Sequence, residues 1–434
     1  MIFCVPMVMQ ALNRRLYPYF FALNIVFAAV FIKTIWLLSI PSKWTLMEND
    51  SVRYLRLSND FWSAFFGDNT RVSTDSFYIT PGYPFFLSLF DAQNYKLIIF
   101  FQFLLLAATQ LLLYKLILKF TSRKIANLGL LIYVVESSSN LESFNLLTET
   151  LFSFFFVVFL YLLYDATWSN LLSSMAGVAL GIAILIRPVG QILLIPLLLL
   201  LLLKTYRNKL TLLLVLTVAI PSTWIIRNEI VYDVPQLSGI QSLNLLQYEG
   251  AGALAKENSQ PLGEVQSAES KREISKVGLS ATVNEIVSYR MDRGSKLIFE
   301  NPKGFLLLHS EGAAKILFGP STANLGKLTK HFRIGENLTQ VLQVILVSIR
   351  ILITSTVLIF IFLAIKRRPV VPVEIYAIAA WFLVIISSGG ANAYSRFRVP
   401  LIPLEIIIIC LGLSFSKKEF PLSKSLVHRF RGRG

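Results

Sequence analysis

Between residues 17 and 40 the chain is apolar almost throughout, with Lys33 as its one charge. A run of about 20 apolar residues is enough to cross the hydrocarbon core of a bilayer as a helix. Further apolar runs follow at 95–120, 125–135, 146–164, 171–186, 189–203, 210–226, 341–365, 375–387 and 401–415. Lipid offers no water to satisfy backbone N–H and C=O groups, so spanning segments of this length must be helices that bond internally. The spacing therefore predicts an all-α polytopic membrane protein with about ten transmembrane helices. Composition agrees: 55% of the 434 residues are hydrophobic and 15% charged, well below the roughly 25% charge of a soluble domain.

The formal net charge of +16 would fit a nucleic-acid partner if the basic residues formed one patch. They gather instead at 14–15, 115–124, 204–209, 366–368 and in the tail, within short loops and ends between apolar runs. That is the pattern of topology-setting charge on the cytoplasmic side, beside membrane lipid. No nucleic acid is expected as a partner. With both ends inside, the chain divides into a cytoplasmic tail at 1–16, a transmembrane module at 17–226 and a loop or cap at 227–338. C-terminal transmembrane helices at 339–416 and a basic cytoplasmic tail at 417–434 complete it. The first outer loop, 41–94, is expected to carry short surface helices. Residues 227–276, rich in Ser, Gly, Gln and Glu, read as a mobile loop. Residues 283–318 read as amphipathic helices broken at Asn301–Pro302.

Cys4 and Cys410 are too few for a disulfide framework, and His309, His331 and His428 are too scattered for a histidine metal site. Nucleotide-binding and zinc-protease motifs are absent from the sequence. Six charges remain that topology alone does not account for. Asp50, Glu149, Arg187, Arg227, Arg396 and Arg398 all fall at outer ends of spans or in outer loops. An arginine at mid-bilayer costs about 2.5–3.5 kcal/mol on insertion scales, and much less at a helix end, where it can snorkel. Snorkelling explains any one of these arginines; the positive-inside rule disfavours the whole outer set. A guanidinium fork suits phosphate, and at a membrane edge the phosphates belong to lipids. A carboxylate beside it can accept a proton or hold a metal. The bland alternatives are a surface-helix N-cap for Asp50 and a dipole-favoured helix start for Glu149. Gly177 and Gly181 form a GxxxG pair, which reads as helix packing.

Taken in order, the motifs resemble the C-type (GT-C) membrane glycosyltransferases, in the branch of protein O-mannosyltransferases and aminoarabinose transferases. They are Asp50-Ser-Val-Arg-Tyr54; Pro81-Gly82-Tyr83-Pro84; Thr148-Glu149-Thr150; Ile186-Arg187-Pro188; Trp224-Ile225-Ile226-Arg227-Asn228; and Tyr394-Ser395-Arg396-Phe397-Arg398. The resemblance covers about residues 12–415. It implies a GT-C-like bundle with periplasmic surface helices and a small periplasmic cap. It also implies a polyprenyl-phosphate-sugar donor, a periplasmic acceptor (glycan, lipid or protein), and an active site facing the periplasm from the bacterial inner membrane. Asp50 would be the general base. Arg187, Arg227 and one of Arg396 or Arg398 would clamp the phosphate. Glu149 would orient the sugar or an arginine, and Tyr54 and Tyr83 would line the cavity. The family often has a second acid beside the first-loop Asp, where this chain has Asn49 and Ser51, so no cofactor is fixed and a divalent cation stays open. The rival class is a transporter or flippase of a lipid-linked or anionic substrate. Such a protein often shows internal repeats and mid-membrane binding residues, and this sequence shows neither.

Overall fold

The computed structural model describes residues 19–40, 47–67, 75–91, 93–166, 169–202, 207–319, 322–331, 334–368, 371–391 and 393–416. The expected topology signals at Arg14, Arg15, Lys204 and in the tail lie outside the described residues. Every regular element among those described is helical, with no strand.

The chain begins with α1 (Phe20–Ser39). Four short helices of the first loop follow: α2 (Asn49–Asn59), α3 (Phe61–Phe66), a single turn at Asp75–Tyr78, and α4 (Gly82–Ser88). The bundle continues with α5 (Tyr95–Leu118), α6 (Arg123–Val135), α7 (Glu149–Ala166), α8 (Asn170–Ile186), α9 (Leu194–Leu200) and α10 (Arg207–Tyr232). Next come α11 (Ile240–Asn244), a π-helical turn at Leu245–Gly250, α12 (Ala251–Glu257), α13 (Leu262–Val277), α14 (Val283–Glu300), α15 (Pro302–Phe318) and α16 (Thr322–His331). The last helices are α17 (Glu336–Arg367), α18 (Pro372–Ser387) and α19 (Ile402–Ser416), with a 3₁₀ segment at Ser395–Leu401 before α19. Each of the ten expected apolar segments is helical over most of its described part. By length and composition, five of these helices can cross a membrane: α1, α5, α10, α17 and Arg396–Ser416. Four shorter apolar helices lie at Glu149–Tyr164, Asn170–Ile186, Pro188–Leu200 and Pro372–Ser387.

Small residues and end charges set how the helices pack. A Cβ on Gly177 would lie 2.4 Å from the Leu213 carbonyl oxygen, and one on Gly181 would lie 2.9 Å from Ile220 Cβ. The GxxxG pair is what lets α8 and α10 approach this closely. Helices α5 and α7 run parallel. Lys119, just after α5, lies 3.8 Å from the centre of the Tyr161 ring near the end of α7. At the other end Gln102 of α5 donates to the carbonyls of Ser143 and Asn145, just before α7 (3.1 and 2.8 Å). Lys115 and Lys119 at the end of α5, Arg207 and Lys209 at the start of α10, and Lys366 and Arg367 at the end of α17 sit at the helix ends opposite the site described below.

Residues 240–257 and 262–277 are helical, which overturns the reading of 227–276 as a mobile loop. The polar composition of α13 is explained by its partners. Glu269 pairs with Arg293 (2.7 Å) and Glu273 with Arg290 (2.8 Å), both on α14. These charges face another helix, and composition alone cannot tell such a face from a solvated one. The break at Asn301–Pro302 stands where expected, with Pro302 opening α15 in a first-turn position it tolerates.

The last carbonyls of α15 have no partner within their own helix, and side chains of the bundle satisfy them. Arg350 Nε and Thr354 Oγ1 both donate to Leu317 O (2.8 Å each), and Arg398 Nη2 donates to Gly319 O (2.8 Å). Arg350 in turn forms a two-pronged ion pair with Glu405 of α19 (2.7 and 2.6 Å), which Trp381 Nε1 also reaches (3.2 Å). Both side chains of the pair are almost fully buried. Removing one partner strands a buried charge, which costs about 3–5 kcal/mol. Glu405→Ala is expected to lower the unfolding midpoint in detergent accordingly, and Arg350→Met with Glu405→Leu to restore most of it.

Candidate active site at one end of the bundle

A cleft of about 390 Å³ opens where the start of α2, the start of α7, the end of α8 and the 3₁₀ segment before α19 converge under α11 and the π-helical turn. That volume falls in the usual range for small-molecule sites, about 300–1,000 Å³.

Asp50 reaches the cleft because it is not spent on capping. Glu48 is the N-cap of α2, and its backbone N–H donates to Ser51 Oγ at 3.1 Å in a capping box. Glu48 also pairs with Lys327 of α16. Asp50 therefore lies inside the first turn, where a carboxylate suits the helix dipole, and its Oδ2 accepts from Arg396 Nη2 at 3.3 Å. Glu149, the first residue of α7, is buried and pairs with Arg187 at 2.5 Å; Arg187 also donates to Thr148 Oγ1 at 3.1 Å. The two guanidinium carbons lie 5.8 Å (Arg187) and 5.4 Å (Arg396) from the centre of one ring, Phe397. Two arginine forks are thus held around one aromatic side chain on one cleft wall. Two buried polar atoms there have no partner among the described residues: Arg396 Nε and Glu149 Oε2.

The Pro-Gly-Tyr-Pro turn supports this wall from behind. A Cβ on Gly82 would come within 2.8 Å of Leu185 O and 2.9 Å of Ile186 N, so glycine is what seats the turn against the residue before Arg187. Tyr83 is fully buried, donates to Gln102 Oε1 (2.8 Å) and meets Tyr54 edge to face at 5.1 Å. Tyr54 lines the cleft and Tyr83 backs it. Burial, together with the nearby Asp50 and Glu149 carboxylates, pushes the Tyr54 hydroxyl well above its usual range, so it stays a neutral hydrogen-bonding group.

The structure does not bring every candidate to the cleft. Arg227 donates to Phe65 O from Nε and Nη2 (3.0 and 2.7 Å) and to Ser76 Oγ (3.1 Å), fastening the first outer loop to α10. Arg398 is buried, and besides Gly319 O it donates to Ser138 Oγ (3.0 Å). Neither lines the cleft. Among the described residues no three His, Cys, Asp or Glu side chains gather as metal ligands. Asp50 and Glu149 each face an arginine, so they do not form the paired-carboxylate set a divalent cation takes.

Sequence reasoning passed over several residues of this wall. Arg53 lines the cleft and pairs with Asp75 (2.9 Å). Asn244, Tyr248 and Glu249 line it from the cap. Glu249 Oε2 lies 2.6 Å from His309 Nε2 on α15. The hydrogen bond that His309 donates to the Glu249 carboxylate raises the imidazole pKa above its ordinary 6.5. A raised imidazole pKa contributes stability that is complete below the unfolded value and is lost as pH rises through the folded one. Hydrogen-exchange protection of 245–257 is therefore expected to fall on the alkaline side of pH 6.5, with cap segments remote from His309 as the reference.

Three comparisons bear on this geometry. Residues 82–226 match the family model described as dolichyl-phosphate-mannose-protein mannosyltransferase, a stretch that contains Glu149 and Arg187. A search of curated proteins finds no match. Among solved structures, the chain is similar to the oligosaccharyltransferase AglB from Archaeoglobus fulgidus, solved with an inhibitory peptide and a dolichol-phosphate. The TM-score is 0.50 at 16% identity, covering 95% of this chain and 51% of that one. It is also similar to the Archaeoglobus fulgidus oligosaccharyltransferase tethered to an acceptor peptide with the NVT sequon. There the TM-score is 0.51 at 16% identity, covering 97% and 51%. The chain spans about half the length of these two structures. It thus has the fold of a C-type (GT-C) membrane glycosyltransferase, with residues 82–226 matching the dolichyl-phosphate-mannose-protein mannosyltransferase family.

Proposed function

We propose that the protein transfers a sugar from a polyprenyl-phosphate carrier to an acceptor nucleophile at the outer face of a plasma membrane, with inversion at the anomeric carbon. The observation that carries this reading is the pair of arginines flanking Phe397, with Arg396 Nε and Glu149 Oε2 buried beside them and without a partner among the described residues. A phosphate oxygen suits the guanidinium N–H, and a sugar hydroxyl suits the carboxylate. Asp50 takes the proton of the attacking hydroxyl or amine as the new bond to the anomeric carbon forms. The bond from that carbon to the phosphate oxygen breaks, and its electron pair leaves on the carrier phosphate, where Arg187 and Arg396 meet the growing charge. The dolichol-phosphate bound to AglB supports a lipid phosphate as the leaving group.

The basic helix ends opposite the cleft support an outward-facing site through the positive-inside rule. The five long helices and the shorter apolar ones fit a bundle of about ten crossings beneath a cap. Clustering of the cleft-lining acids and arginines at one end favours an enzyme over a transporter. The test is to incubate purified protein with polyprenyl-phosphate sugars of several kinds and an acceptor panel, and to measure free carrier. Release of carrier that depends on acceptor supports the reading; none with any donor contradicts it.

A further inference from the structure

The cap side of the cleft differs in chemistry from the side that holds the arginines. Residues 240–250 contain no lysine or arginine, and residues 387–391 read Ser-Ser-Gly-Gly-Ala. What these segments present to the cleft is an amide (Asn244), a phenol (Tyr248), the hydroxyls of Ser387 and Ser388, and the Glu249 carboxylate. Asp50 and Glu149 each face an arginine, whereas Glu249 faces the imidazole of His309.

That carboxylate is placed with care. It sits on the π-helical turn at Leu245–Gly250, a rare geometry that recurs at functional sites. Both His309 ring nitrogens face acceptors, Nδ1 the carbonyl of Ile386 (3.2 Å) and Nε2 the Glu249 Oε2 (2.6 Å), so the imidazolium donates at both ends and its ring is fixed facing the carboxylate. Phe305 packs on the imidazole with ring centres 4.2 Å apart. The other carboxylate oxygen rests over Gly390, where a Cβ would lie 1.9 Å from Oε1. A Cβ on Gly389 would lie 3.1 Å from His309 Nδ1. Two consecutive glycines thus make room for the dyad. Gly390 also lines a second cavity, of about 420 Å³, which Ser259 and Gln260 help to form.

We propose that Glu249, oriented by His309, binds saccharide hydroxyls and is a specificity-determining residue of the cleft. A phosphate would be repelled by a carboxylate whose ionic partner among the described residues is an imidazole and not an arginine. A neutral polyol offers O–H donors, and O–H to carboxylate is a short, strong hydrogen bond. The amide and hydroxyls alongside both donate and accept, as a ring of sugar hydroxyls requires. The second cavity beyond Gly390 gives a chain of more than one sugar room to pass the dyad. This assignment rests on the reading of the protein as a sugar transferase. The saccharide is either the sugar of the donor or that of a glycan acceptor.

Glu249→Gln and His309→Gln decide the matter, with donor and acceptor KM measured separately beside kcat and the affinity for polyprenyl phosphate. The expected result is a rise of about 10- to 100-fold in one KM for Glu249→Gln, the scale of a lost charge-assisted hydrogen bond. His309→Gln is expected to give a smaller rise in the same KM, with kcat changing less and carrier affinity unchanged. Elevation of the donor KM places the donor sugar at the dyad, and elevation of the acceptor KM places a glycan acceptor there. Both KM values unchanged, or a loss confined to kcat, would overturn the proposal while leaving the transferase reading intact. Unchanged carrier affinity separates this outcome from simple misfolding. A wild-type protein that binds neither carrier nor sugar overturns both readings.

Discussion

Asp50→Asn is expected to lower sugar transfer by about 100- to 10,000-fold, the range of general-base contributions, with the protein still folded and inserted. Asparagine keeps the size of the side chain and an oxygen that can accept from Arg396 Nη2. The capping box of Glu48 and Ser51 that starts α2 does not involve position 50. What the variant loses is the ability to take a proton. The measurement is carrier release by purified variant and wild type, paired with their thermal unfolding in detergent. Transfer near the wild-type rate would remove Asp50 from the chemistry.

Arg396→Gln is the second large effect, with a fall of about 100- to 1,000-fold in kcat, as for loss of one preorganised donor to a developing anion. Arg396→Lys should recover only part of this, because an ammonium keeps the charge but lacks the planar fork. The buried Nε of Arg396, with no partner among the described residues, is the atom lysine cannot replace. Single-turnover rates with a saturating phosphate-linked donor separate the chemical step from donor binding. Full recovery in the lysine variant would show that charge alone suffices there.

These assignments show where sequence reasoning reached and where it stopped. The helical spans were legible because lipid forces continuous apolar runs into helices. The meeting of Asp50, Glu149, Arg187 and Arg396 at one cleft follows from counting those spans, since each falls at the same end of the bundle. The fates of Arg227 and Arg398 were not legible. A guanidinium can also donate to a backbone carbonyl, and only the fold shows that Phe65 and Gly319 present carbonyls to them. Gln-Tyr-Glu at 247–249 carries no mark of a π-helical turn in its residue types, so Glu249 was invisible until His309, about 60 positions away, stood beside it. The helix at 262–277 was hidden for a similar reason, its acids being committed to arginines on α14.

The most direct measurement is equilibrium binding of polyprenyl phosphate to the wild type, Arg187→Gln and Arg396→Gln, with Lys303→Gln on the exposed start of α15 as control. Each cleft variant is expected to bind the carrier about tenfold or more weakly, the scale of one charge-assisted hydrogen bond, with the control at wild-type affinity. Wild-type affinity in both arginine variants would mean that the lipid phosphate is held somewhere other than beside Phe397.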